Sequence, residues 1–341
     1  MAPPLAHHPN TAHGAARWQR PVTGRGQWHP LRVVCALLGV CAATGVWAQS
    51  SQVCQQPPEL SAAEQDRLIQ VAAWVKAELD ATGQRVAIIA RSGQGFALQQ
   101  LGHRYSHAGV SLQTSANAPW SVRQLYLACD AQRPRIFDQG LPGFVMATNN
   151  PAEGYLSVLL LPSEAAAMLE ATALNDTQAL QLLGTGYSAN AYAHSTRYQN
   201  CNQWLAELLA SAWGTLASGT TTDTVPDHSA APHPRHRAQQ WLAQQGYQPS
   251  VLAVRWAPLM WAAALLPWFH VSDHPADDLA AGQFRVSMPA SIAAWVQTHW
   301  PDATHWELCH TTRHLLIRRG GAPIAPGCVP EAGDDIRLLS G

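Results

Sequence analysis

Residues 198–204 read YQNCNQW, a cysteine between two asparagines at the mouth of a helical apolar pattern. Asn200 is placed to cap that helix and Gln203 to occupy its third position, a reciprocal capping arrangement built from amide side chains. Cys201 then becomes the first helical residue. Unpaired N–H groups and the helix dipole favour an anion there and lower a thiol's pKa. The backbone N–H of Cys201 is also free to face the oxyanion of a tetrahedral intermediate. A sulfur nucleophile needs a group to take and return its proton, and histidine is the usual one. His107, in YSHAGVSL (105–112), is the candidate, because Ala108 and Gly109 after it allow another element to come close. Gln124, in WSVRQLYLAC (120–129), can accept the imidazole N–H if those two segments pair as strands. Each residue also has a plainer reading: Cys201 as a buried thiol or half-cystine, His107 as a core histidine, Gln124 as a strand residue.

The cysteine count bears on that choice. Residues 1–32 carry Arg17, Arg20, Arg25 and Arg32 and no acidic residue, and VVCALLGVCAATGVWA (33–48) is an apolar run ending in small residues. This reads as an export signal cleaved near Ala48–Gln49, too short for a comfortable membrane span. Localisation in the periplasm or secretion follows as the expectation. Of seven cysteines, Cys35 and Cys41 leave with the signal, and Cys54, Cys129, Cys201, Cys309 and Cys328 remain. In an oxidising compartment an odd count leaves a thiol over. Sequence does not fix connectivity; pairing Cys54 with Cys129 and Cys309 with Cys328 would leave Cys201 free.

The elements that must position these residues are legible in part. Residues 61–83 read as a helix with a Ser61–Glu64 capping box, a stripe of Leu68, Ile69, Ala72, Val75 and Leu79, and a terminating Gly83. RVAIIARS (85–92) is a buried strand. In 105–112, Ala108, Val110 and Leu112 face one way and His107, Gly109 and Ser111 the other. A strand over 154–162 leads to helices over 163–173 and 176–183. After Cys201, the residues Trp204, Leu205, Leu208, Leu209, Ala212 and Trp213 trace one helical face, ending near Gly219. Residues 218–236 read as a flexible loop, 237–245 as a helix and 251–269 as a buried helix interrupted by Arg255, Pro258 and Pro267. A helix over 288–299 and strands over 305–309 and 314–318 complete the chain. The order is α+β: a signal peptide (1–48), a core (49–217), the loop, and a C-terminal α/β extension (237–341) packed on the core.

Composition narrows the function classes. Net charge is −1, with 47% hydrophobic and 13% charged residues and no long basic run, so no electrostatic footprint for nucleic acid is present. RSGQGF lacks the strand-to-helix context of a phosphate loop and reads as a hairpin turn. HVSDHPADD gathers His270, Asp273, His274 and Asp277, but the spacing fits no zinc signature, and Pro275 breaks a continuous helix. A turn in which Asp273 and Asp277 cap local structure is expected instead. No cofactor and no metal is called for. Tyr198 and Gln199 could line an oxyanion site or pack a loop.

SHAGV on a strand, a polar residue on the next strand and NC opening a later helix resemble the circularly permuted NlpC-type branch of papain-like cysteine hydrolases, over about 85–217. More closely, RSGQGF, RYSHAGV, YQNCNQWLAELLASAW and SDHPADD resemble an uncharacterised family of exported bacterial proteins, domain of unknown function 2145, over most of 54–330. The first resemblance implies a papain-like antiparallel sheet, with Cys201 as nucleophile, His107 as base and Gln124 as orienting residue. Gln124 departs from the histidine or acid often third in that branch. The activity implied is that of an exported cysteine hydrolase or acyltransferase acting on an amide or ester, with peptidoglycan peptides the leading substrate class. The alternative is a non-catalytic periplasmic protein using the same fold as a binding scaffold.

Overall fold

The computed structural model describes residues 59–93, 101–128, 133–148, 150–214, 233–254 and 266–339, all within one compact unit spanning 49–341. The expected leader, Cys54, Cys129, most of the RSGQGF turn, the loop 218–232 and the apolar stretch 255–265 lie outside the described residues.

Local chemistry explains the first element. Helix α1 (Ala62–Ala81) starts at Ser61, whose hydroxyl accepts from the Glu64 N–H while the Glu64 carboxylate accepts from the Ser61 N–H at 2.8 Å. It stops at Gly83, which adopts φ +69°, a conformation glycine takes without penalty. Its buried stripe is Leu68, Val71, Ala72, Val75 and Leu79. Ile69, expected on that stripe, is 45% exposed.

The strands follow: β1 (Val86–Ser92), β2 (Tyr105–Leu112), β3 (Ser121–Ala128), β4 (Arg133–Gln139), β5 (Gly154–Leu160), β6 (Ser250–Ala253), β7 (Gln283–Val286), β8 (Thr304–His310), β9 (His314–Arg319) and β10 (Asp335–Leu338). Among the described residues, eight strands form one sheet in the order β10-β9-β8-β5-β1-β2-β3-β4, every neighbouring pair antiparallel. Strands β6 and β7 pair separately. The helices are α2 (Leu141–Met146), α3 (Ser163–Leu174), α4 (Asp176–Gln181), α5 (Cys201–Gly214), α6 (Pro234–Gln244), α7 (Ala276–Ala280) and α8 (Pro289–His299). The result is a mixed α+β protein built on a large antiparallel sheet with packed helices.

Strand alternation gives the sheet two buried faces. Val86, Ile88, Ala90, Ala108, Val110 and Leu112 share a core with α3, α5 and α8. Ala87, Ile89 and Val122 share the opposite core with α1 and α2. A strand buried on both sides reads as a continuous apolar run, as Val86–Ser92 does.

Three sequence expectations change. The C-terminal tail, expected to pack on the core as an extension, adds β8, β9 and β10 to the same sheet, where β8 pairs with β5. Residues 251–253, expected to open a buried helix, belong to strand β6 instead, because Leu252 packs with Phe284 and Val286 of β7. Helix α6 begins at Pro234, inside the segment expected to be loop, with the His233 side chain accepting from the Arg235 N–H. Strands β4 and β10 and helix α2 had no counterpart in the sequence reading. Cys309 and Cys328 form a disulfide, as paired from the sequence. Among the described residues, no helix is long and apolar enough to cross a membrane.

Candidate active site

The site forms where the sheet opens. Strands β2 and β3 pair only from Val110 to Leu112 opposite Ser121 to Arg123. Before that register the free backbone edge of β2 meets a helix end instead of a strand. Asn202 fills the gap: its Oδ1 accepts from the Ala108 N–H at 3.1 Å, and its Nδ2 donates to the Ser106 carbonyl at 3.0 Å. One side chain thus takes up the backbone groups on either side of His107, and it belongs to the residue after Cys201.

Helix α5 begins at Cys201, with Asn200 as its cap. The Asn200 Oδ1 accepts from the Gln203 N–H at 2.7 Å. The expected reciprocal bond does not form. Gln203 Nε2 turns instead to the carbonyls of Tyr192, Ala193 and Ser195 and fixes the preceding loop. That loop is held a second way. Glu207, buried on α5, takes Arg235 from α6 at 2.8 Å and 3.0 Å, and Gln199 and Gln239 at 2.6 Å and 2.8 Å. Arg235 also donates to the Thr196 and Tyr198 carbonyls. A buried ion pair whose remaining lone pairs and protons are all used is stable where a partial one is not.

His107 is buried and projects toward the α1–α2 face. Its Nε2 lies 2.7 Å from Gln124 Oε1. Gln124 Nε2 donates to Gln139 Oε1 at 2.8 Å, and the Tyr126 hydroxyl donates to the same oxygen at 3.1 Å. This chain fixes the amide of Gln124, so its oxygen faces the ring and the His107 proton sits on Nε2. Nδ1, a bare lone pair, has no hydrogen-bond partner among the described residues. The Tyr126 ring stacks on the imidazole, 4.8 Å between centroids and 7° from parallel. Gly109 makes the strand crossing possible. A Cβ there would lie 2.7 Å from the Arg123 carbonyl oxygen and 3.0 Å from Gln124 Cβ.

Burial sets the resting charges. Removal from water pushes the Cys201 thiol up to about 12, against opposing pulls from the N–H groups of Asn202 and Cys201 and from Arg91. Burial, with Arg91 adding to it, holds His107 down to about 3. The helix-start donors expected from the sequence are present and act in the expected direction, but desolvation outweighs them. The resting pair is therefore a neutral thiol and a neutral imidazole.

Of the other sequence candidates, Gln199 is a loop-packing residue whose Oε1 accepts from the Gly184 N–H at 2.7 Å. The Tyr198 ring stacks on His270 at 4.3 Å. Asp273 accepts from the Tyr192 N–H at 3.1 Å, and His274 Nε2 bonds the Asn190 carbonyl at 2.7 Å. Both brace the loop ahead of Cys201. Sequence reasoning passed over Arg91, Tyr126, Gln139, Asn202 and the Glu207–Arg235 pair. An arginine closing the apolar run RVAIIARS was the available signal for the first.

Residues 78–296 match DUF2145, an uncharacterised protein family conserved in bacteria. The chain belongs to DUF2145. No curated protein and no solved structure matches it. The matched span of this DUF2145 protein holds Arg91, His107, Gln124 and Cys201, and also the Asn202 and Glu207 contacts that bring their elements together.

Proposed function

We propose that this DUF2145 protein is an exported thiol-dependent hydrolase or acyltransferase acting on an amide or ester, with a cell-wall peptide as the leading substrate class. The observation that carries the reading is the imidazole of His107. Its Nε2 proton is committed to Gln124 at 2.7 Å, and its Nδ1 is left unpartnered on the strand segment to which Asn202 ties the start of α5. A bare imidazole nitrogen on the strand tied to the start of α5 is the group a thiol nucleophile would use as its base. In the reaction, Cys201 sulfur attacks the substrate carbonyl carbon as its proton passes to His107 Nδ1. The carbonyl oxygen, now negative, faces the backbone N–H groups at the helix start. The bond to the leaving group breaks as that group takes the proton from Nδ1, leaving an acyl thioester on Cys201. Water, or another acceptor, gives its proton to Nδ1 as its oxygen attacks the thioester carbon; the C–S bond then breaks, the acyl group leaves on that oxygen, and Nδ1 returns the proton to the sulfur. The resemblance to permuted NlpC-type hydrolases supports the same assignment.

The competing reading, a non-catalytic binding scaffold, is favoured by one observation: Cys201 is only 8% exposed and His107 1%. The two separate on acylation by p-nitrophenyl acetate, followed by intact mass. The proposal expects one acetyl group on the mature protein, none on Cys201→Ala, and a rate about a hundredfold lower in His107→Ala. Acetylation that persists in Cys201→Ala, or is unchanged in His107→Ala, would refute it.

A further inference from the structure

Arg91 stands apart from the other buried arginines. Arg235 and Arg318 each pair with a carboxylate, Glu207 at 2.8 Å and Asp334 at 2.7 Å, as does the half-buried Arg123 with Asp138 at 2.6 Å. Arg91 is 2% exposed, and its Nε, Nη1 and Nη2 have no hydrogen-bond partner among the described residues. Its guanidinium lies 5.5 Å from the centre of the Phe144 ring. The Tyr126 hydroxyl, which donates to Gln139, feels its charge. A guanidinium stays protonated at any working pH. Taking one out of water with no anion beside it costs several kcal/mol.

The groups around it show which anion could offset that cost. Arg91 sits directly across the β1–β2 pair from His107. The Cys201 thiol feels Arg91 from β1, and Tyr126 on β3 and Tyr187 in the segment before α5 in turn feel Cys201. Both tyrosines are held up by burial and stay neutral, and His107 is held down and stays neutral. Among these groups Arg91 alone carries charge, and Cys201 is the one that can become an anion beside it during attack on a carbonyl.

We infer that Arg91 is the cationic partner of Cys201, stabilising its sulfur as thiolate and the oxyanion that follows, while His107 acts beside it as an uncharged base. This rests on the reading of Cys201 as nucleophile. It departs from a pair in which imidazolium balances thiolate. Arg91 is a positioning charge that needs no contact with substrate.

The test is the pH dependence of Cys201 alkylation by iodoacetamide, read at that residue by peptide mass spectrometry in the full mature protein. Arg91→Met should raise the midpoint by about one pH unit, making labelling below the midpoint about tenfold slower. Arg91→Lys should restore the rate to within about threefold, because it keeps the charge. His107→Ala should move the midpoint by less than about half a unit. A midpoint unchanged in Arg91→Met, or a shift confined to His107→Ala, overturns the inference and leaves the hydrolase reading standing. Should Arg91→Met fail to fold, a midpoint moved by more than one unit in Arg91→Lys overturns it equally. Loss of acetylation chemistry with the Arg91 shift intact would sink the hydrolase reading alone.

Discussion

Asn202→Ala is the sharpest probe of how the site is assembled. The Asn202 side chain satisfies two buried backbone groups, the Ala108 N–H and the Ser106 carbonyl, at 3.1 Å and 3.0 Å. Alanine leaves both without a partner. Each stranded group costs roughly 1–3 kcal/mol, so the expected loss is about 2–6 kcal/mol, with about 4 a central value. Against a typical domain stability of about 5–15 kcal/mol, that is a large change but one that leaves most chains folded. Asn202→Asp should lose at least as much, because its buried carboxylate keeps the Ala108 bond but is stripped of water and repels the Ser106 carbonyl. Urea unfolding at pH 7 measures both, with exposed Gln181→Ala as the control. Alkylation of Cys201 should quicken in Asn202→Ala, as the helix start detaches from β2 and water reaches the sulfur. A stability loss under about 0.5 kcal/mol in Asn202→Ala would mean that neither bond holds the helix to the strand.

Acid should destabilise the protein early. His107 and His310 are held down to about 3 and about 4, chiefly by burial, from an ordinary 6.5. Below pH 6.5 the unfolded chain binds protons that the folded one refuses, so stability present above that pH falls as pH drops toward 4 and 3. Each histidine contributes a loss of about 1.4 kcal/mol per pH unit, about 4 kcal/mol for the two between pH 6.5 and 5. His310→Gln should halve that slope in urea titrations at pH 7 and pH 5, and a flat profile in the parent protein would contradict the burial argument. Gly109→Ala should cost about 1–3 kcal/mol, since its Cβ would meet backbone at 2.7 Å. Gly140→Ala, whose Cβ meets only Pro142 Cδ at 3.9 Å, should cost well under that, and equal losses in the two would discount the crowding at β3.

What the sequence disclosed was whatever depends on near neighbours. The Ser61–Glu64 box, the extent of β2, the Asn200 cap and the pairing that brings Gln124 to His107 are set by residues a few positions apart or by strand alternation. What it hid depends on the rest of the fold. Strand β4 carries Pro134 and alternating arginines and resembles a loop until β3 lies beside it, and only then does Gln139 reach Gln124. The thiol shift reverses for the same reason: helix-start N–H groups are local, whereas desolvation comes from every element packed over Cys201. Gln203 likewise abandons its capping role for three carbonyls of a loop that no pattern within the helix reveals.

The placement of β8 has a practical outcome for anyone trimming the gene. The family match ends at 296, but the far side of β5 is closed by residues 304–310. Stopping translation at the end of the match would bare one edge of the buried strand Gly154–Leu160, leaving the N–H and C=O groups that face β8 unfilled. Such an edge recruits strands from neighbouring molecules. A soluble preparation therefore has to carry the chain on through the last strand at 335–338.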